Sequence, residues 1–168
     1  SSAASDVYKR QILNCAIIDE DPEALALLKH YVDETPSLNL IGAYHNAIEA
    51  VDGIHHSHLD ILFLAIHMQQ ISGLEFAKLV PMNVKIIFTT AFKEYAIEAY
   101  KVNAFDYLVK PILYEDFMQT CQKVFDHYMQ DDTYNPIKRD GFVVVRNESK
   151  YTRIPFENIP VSYTHLTL

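Results

Sequence analysis

Apolar residues fall along this chain in short continuous runs separated by stripes at helical spacing. Residues 12–18, 38–43, 60–64, 84–88 and 104–109 read as strands. The central run, Ile61-Leu62-Phe63-Leu64, is apolar at every position. A strand tolerates that pattern when helices cover both faces of a parallel sheet. Residues 22–34, 47–54, 73–79, 93–101 and 113–128 read as the intervening helices. In the first of them Leu25, Leu28 and Val32 share one stripe, with Ala24, Leu27 and Tyr31 beside it. Asp21 stands where an N-cap carboxylate meets orphan backbone donors, and Pro22 occupies the first helical position, where its fixed φ is favourable. The pattern of 93–101 is mixed and predicts a partly exposed face. Leu113, Phe117, Cys121, Val124 and Tyr128 predict an amphipathic last helix packed back on the sheet. Strands and helices alternating through short loops give an α/β doubly wound parallel sheet in three layers.

The ends fit neither period. Residues 1–11 and 161–168 resemble the translated ends of a sequencing adapter, and the reading sets them outside the fold as a non-native or disordered leader and a non-native tail. Residues 12–130 form the main domain, and 131–140 read as a linker by composition. Residues 141–160 open a β-rich module, with Phe142-Val-Val-Val-Arg146 as one strand and Tyr151-Thr-Arg-Ile-Pro155 as the next. A lone hairpin is marginal in water, so this stretch is expected to be mobile.

Composition narrows the function. Hydrophobic content of 49% with four glycines excludes a disordered or fibrous chain. No apolar stretch has the length of a membrane span. The formal charge of −8 repels a polyphosphate backbone. Cys15 and Cys121 lie in strand-like and helical patterns without metal-ligand spacing, which places reduced, buried thiols in a cytoplasmic protein. The run His55-His-Ser-His58 lacks a supporting acid or thiol and reads as a solvated loop.

Right-handed crossovers bring the C-terminal ends of parallel strands to one rim, where chemistry sits in open α/β sheets. That rim carries Asp19 and Glu20 after the first strand, Ala65 after the third, Thr90 after the fourth and Lys110 after the fifth. Crowded carboxylates are relieved by a hard divalent cation, and a lysine across the crevice meets an anion as a point charge. The set suits Mg²⁺ with a phosphoryl group. It also suits a helix-cap cluster beside a surface lysine, and the residues alone leave both open.

Four motifs in order carry a resemblance. Ile17-Ile-Asp-Glu-Asp-Pro22, Leu64-Ala-Ile-His-Met-Gln-Gln-Ile-Ser-Gly73, Thr89-Thr-Ala91 and Asp106-Tyr-Leu-Val-Lys-Pro111 resemble the metal corner, phosphoacceptor loop, hydroxyl and lysine–proline motifs of response regulator receiver domains. The resemblance covers residues 14–128 and implies a flavodoxin-like sheet of order 2-1-3-4-5, with a cis peptide bond before Pro111. It implies Asp19 and Glu20 as Mg²⁺ ligands, Thr90 and Lys110 as phosphoryl-binding residues and Tyr107 as the rotameric switch. Phe88-Thr-Thr-Ala-Phe-Lys-Glu-Tyr-Ala96 and the 142–159 stretch resemble regulators with a LytTR DNA-binding output, cut short early in that domain.

Two positions depart from the pattern. Ala65 stands where the family has its phosphoacceptor aspartate, and Gln69 where a proline follows the methionine. A methyl group cannot attack phosphorus, and the Mg²⁺ site loses a carboxylate, so binding is expected to be weak or absent. Removing a negative charge from a crowded pocket also relieves repulsion. Ala65 is either natural to a phosphorylation-independent pseudo-receiver or a replacement in an ordinary regulator. The implied partners are a sensor histidine kinase, a second copy of the chain through the 93–128 face, and DNA only through a full-length output domain; no membrane partner is implied. Enzyme readings on this scaffold fail because acids, not a glycine-rich phosphate loop, follow the first strand.

Overall fold

The computed structural model describes residues 9–10, 12–134, 142–147 and 150–155, with side chains from 12 to 130. Two compact units divide the chain: Ile12–Cys121, and Ser1–Gln11 together with Gln122–Leu168.

The first unit runs β1 (Leu13–Ile18), α1 (Pro22–Asp33), β2 (Leu38–Tyr44), α2 (Ala47–His55), β3 (Ile61–Ala65), α3 (Gly73–Ala77), β4 (Lys85–Thr90), a 3-10 turn (Lys93–Tyr95), α4 (Ala96–Lys101), β5 (Asp106–Val109) and the first turns of α5 (Tyr114–Tyr134), a helix that continues past the division at Cys121. The sheet is parallel throughout, in the order β2-β1-β3-β4-β5, as the sequence predicts. Every residue of β3 is buried. Alternation along the strands splits the core into two layers. Ala16, Ile18, Leu62, Leu64, Ile86 and Phe88 pack with Ala47 and Ala50 of α2, Phe76 of α3 and Ala99 of α4. On the opposite face Phe63 stacks on Phe117 of α5 at 5.4 Å between ring centroids, and Tyr31 of α1 meets the same ring at 5.4 Å.

Local chemistry fixes the helix starts. Asp21 caps α1 by accepting from the Glu23 N–H at 3.0 Å, with Pro22 opening the helix. Asn46 and Ser72 cap α2 and α3 in the same way, from the N–H groups of Glu49 and Glu75. Gly73 has a stricter role. Its N–H donates to the Ile66 carbonyl at 2.8 Å, and a Cβ there would strike the Ala65 carbonyl oxygen. The third and fourth helices are shorter than their sequence pattern predicts: α3 ends at Ala77, and 93–95 wind as a 3-10 turn before α4 begins. The expected exposure of α4 is real, with Ala99 its one buried residue.

In the second unit the two expected strands, Phe142–Asn147 and Lys150–Pro155, pair antiparallel, Val144 opposite Arg153. A third strand, Lys9–Arg10, pairs antiparallel with the outer edge of Lys150–Pro155. Two details go beyond the sequence pattern. Lys9 and Arg10, within the stretch read as a non-native or disordered leader, join a sheet, because an edge strand leaves backbone groups that a two-residue segment can pair whatever its own periodicity. Helix α5 continues to Tyr134, through the first residues of the segment read as a linker, since nothing in Asp131-Asp-Thr-Tyr134 breaks a helix. The remaining boundaries, at 135–141 and 156–168, lie outside the described residues.

Cys15 and Cys121 are both buried in the sheet-and-helix layers. Burial pushes the Cys15 thiol from 9.0 up to about 12, with the Asp60 carboxylate adding to the effect. Burial raises Cys121 as well, Cys15 adding to it. The unfolded chain thus gives up these protons near 9.0 while the folded chain holds them. The contribution to stability is complete below pH 9.0 and is lost progressively as pH rises toward about 12. A thermal melt repeated across that range is expected to show a falling midpoint, shallower in Cys15→Ala. Replacing Gly73 by alanine is expected to cost about 1–3 kcal/mol in urea unfolding, because backbone must shift to admit the methyl.

Candidate functional site

The rim is built by the residues that follow each strand end. Asp19 leaves β1 with its N–H donated to the Tyr44 carbonyl at 3.0 Å, which turns its side chain into the crevice. It is only 2% exposed. Its Oδ1 accepts the Asp21 N–H at 2.9 Å, and its Oδ2 lies 2.8 Å from Lys110 Nζ. The latter contact is ionic rather than directional: Oδ2 receives no hydrogen bond of good angle, yet the ammonium beside it supplies the charge that burial demands. Lys110 is held in place by its own N–H, which donates to the Thr90 carbonyl at 2.7 Å, and the following peptide bond to Pro111 is cis, as expected.

Glu20 turns the other way. Its Oε1 accepts the Gln69 N–H at 2.8 Å, tying the β1 corner to the loop after β3. Thr90 is buried, and its Oγ1 accepts the Phe92 N–H at 3.1 Å. Ala65 is 1% exposed and presents only a methyl group. Its ladder neighbour Thr89 has a buried Oγ1 without a hydrogen-bond partner, and Ala65 offers it no acceptor. Tyr107, on β5, is 40% exposed.

Asp19 and Lys110 are therefore brought together, whereas Glu20 and Thr90 are engaged with their own neighbouring loops. Sequence reasoning marked Gln69 as a departure but missed what it does. A proline has no N–H, so any other residue at that position supplies a donor facing the acidic corner. The second missed role is that of Gly73, whose missing Cβ lets the loop close on the Ala65 carbonyl.

The donor set fits a magnesium ion poorly. Magnesium asks for near-octahedral oxygen ligation. Here both oxygens of Asp19 and one of Glu20 are already engaged, and Ala65 presents only a methyl group. Among the described residues no group of three or more His, Cys, Asp or Glu side chains converges on a metal position.

Residues 15–122, more than half of the chain, match the response regulator receiver domain. The chain belongs to that family. Among curated receiver proteins, an uncharacterized response regulatory protein of Vibrio cholerae serotype O1 is 28% identical over 160 residues, covering 93% of this chain and 67% of that protein. The transcriptional regulatory protein BtsR of Escherichia coli K12 is 39% identical over 103 residues, 60% of this chain and 43% of BtsR. The chain thus spans less than half the length of BtsR. Of the solved structures, the response regulatory domain of mrkE from Klebsiella pneumoniae superposes with a TM-score of 0.64 at 24% identity, covering 70% of this chain and 99% of that domain. The chemotaxis protein CheY4 of Vibrio cholerae superposes at 0.60 and 22% identity, covering 67% and 98%. At those identities the likeness is one of fold, and the receiver fold is what the two share with this chain.

Lys110→Met leaves the Asp19 carboxylate buried beside a single backbone donor. A loss of about 1–3 kcal/mol is expected in denaturant unfolding, recovered in large part by adding Asp19→Asn, which removes the orphaned charge.

Proposed function

We propose that this chain is the receiver region of a two-component response regulator whose phosphotransfer chemistry is lost at Ala65. One observation carries the reading: a buried methyl group occupies the mouth of the central strand, on a rim where Asp19 and Lys110 pair with each other at 2.8 Å. Phosphotransfer needs an oxygen nucleophile there, and neither neighbouring carboxylate replaces it. Asp19 is ion-paired and Glu20 is bonded to Gln69. Thr90 and Lys110 keep the positions that bind a phosphoryl group in the family, and Tyr107 keeps that of the switch. Mg²⁺ binding is weak at best on the donor set described above. In this reading the chain is a signalling module and not an enzyme.

The partners follow from the family. The parent regulator is read by a sensor histidine kinase in the cytoplasm, a compartment in keeping with two reduced, buried cysteines. The strands at 142–147 and 150–155 belong in this reading to a LytTR-type output, through which the full-length regulator contacts DNA. A charge of −8 argues against DNA binding by the present chain. Within the described residues no helix is long and apolar enough to cross a membrane.

A second reading, a phosphorylation-independent interaction or dimerisation module, is favoured by one surface. Ile97 and Tyr100 of α4, Tyr107 of β5 and Leu113 before α5 are 70%, 83%, 40% and 60% exposed. Large apolar side chains grouped on one side of a domain mark a protein contact.

Incubation with phosphoramidate and Mg²⁺, followed by intact mass measurement, is expected to leave the chain unmodified. The Ala65→Asp variant is expected to gain one acid-labile phosphoryl group. An adduct on the unaltered chain, at Asp19 or Glu20, overturns the loss of phosphotransfer. Equal dimerisation of the unaltered chain and of phosphorylated Ala65→Asp by sedimentation favours the interaction module.

A further inference from the structure

Beside the rim is a feature that phosphotransfer does not use. An open pocket of about 420 Å³ is lined by His67, Phe92, Glu94, Tyr95 and Glu98. Its volume falls in the range of roughly 300–1,000 Å³ typical of small-molecule sites. Three of the five residues are rings, and they do not stack. His67 lies 5.1 Å from Phe92 at 79° and 4.8 Å from Tyr95 at 82°, while Phe92 and Tyr95 are 6.2 Å apart at 69°. The three rings wall a corner in mutual edge-to-face contact, with His67 exposed and Tyr95 partly so. Phe92 remains 50% exposed.

The other two lining residues are carboxylates one helical turn apart. Neither Glu94 nor Glu98 has a hydrogen-bond or ion-pair partner among the described residues. Among the described residues no lysine or arginine lines the pocket. The chemistry therefore selects by charge. An anion meets two carboxylates on a chain of net charge −8 and is repelled. A divalent metal ion needs several oxygen ligands, whereas two carboxylates are all that these residues offer it beside the rings. An organic cation gains from both components: ring faces attract it by their quadrupole, and the carboxylates neutralise it.

We propose that this pocket binds a small organic cation carrying a guanidinium or alkylated ammonium head, seated against the faces of His67, Phe92 and Tyr95 and neutralised by Glu94 and Glu98. The site is independent of the chemistry at Ala65. It is coupled to the rim through Phe92, whose N–H donates to Thr90 Oγ1 at 3.1 Å, so that an occupant restrains the loop carrying the rim hydroxyl.

The test is an NMR titration of the full chain with N-butylguanidinium and tetramethylammonium, with neutral N-butylurea and anionic butyrate as controls. Saturable shifts of the His67 and Tyr95 ring resonances are expected for both cations and for neither control. Glu94→Gln/Glu98→Gln is expected to weaken cation binding about tenfold, and Phe92→Leu by about threefold. These positions are solvent-exposed, and an unchanged far-UV spectrum verifies that the variants fold. Absence of saturation, equal binding of butylurea, or an unaltered affinity in the double glutamine variant overturns the proposal. Saturation by an arginine-containing peptide but not by the free cations overturns a small molecule as the occupant.

Discussion

Burial of β3 on both faces is the constraint from which the rest of this receiver follows. Ile61, Leu62, Phe63 and Leu64 are each fully buried, and each contributes about 1.5–3 kcal/mol relative to an exposed side chain. That burial requires a helical layer on each side. Alternation along the strand then sends Phe63 toward Phe117 and sends Leu62 and Leu64 toward α2, α3 and α4. Covering both faces of a parallel sheet with right-handed crossovers leaves all the strand C-termini at one edge. The acids, the hydroxyl and the lysine meet there because the core was built this way.

At that edge the governing term is electrostatic. Asp19 is almost wholly buried, and a carboxylate removed from water is stable only with a partner. In this chain Lys110 serves as that partner, with the Asp21 N–H on the other oxygen. A residue whose chemistry suits an incoming phosphoryl group is thereby committed to an internal ion pair. Glu20 is committed as well, to the Gln69 amide. Ala65 brings no charge into the crevice, and the Gln69 amide supplies a donor to the charge of Glu20.

Loops of this rim carry more than the acids, the hydroxyl and the lysine. Thr90 accepts from Phe92, and Phe92 with Tyr95 and His67 forms a ring-walled corner flanked by the carboxylates of Glu94 and Glu98. The short 3-10 turn at Lys93–Tyr95 and the thinly buried α4 place two of its rings and both carboxylates on a stretch with Ala99 as its one buried residue. Segments with few buried contacts are those that proteins use for binding and switching.

Much of this was legible in the chain. The apolar run of β3 and the stripe of Leu25, Leu28 and Val32 determined a doubly wound sheet, because strand and helix periods are local and strong. Asp21-Pro22 determined where α1 begins, and the order of acids, alanine, threonine and lysine along the chain determined the make-up of the rim. The short strand at Lys9–Arg10 was not legible, since two residues carry no period and the pairing depends on an edge supplied by residues 150–155. Nor was the choice of Glu20 for the Gln69 amide, or of Lys110 for Asp19. Those partners are separated by 49 and 91 positions in sequence, and only the closed sheet sets which donor stands within reach of which carboxylate. Residue types and spacing fix what chemistry is available; distances of about 3 Å, which decide what it does, exist only after the chain has folded.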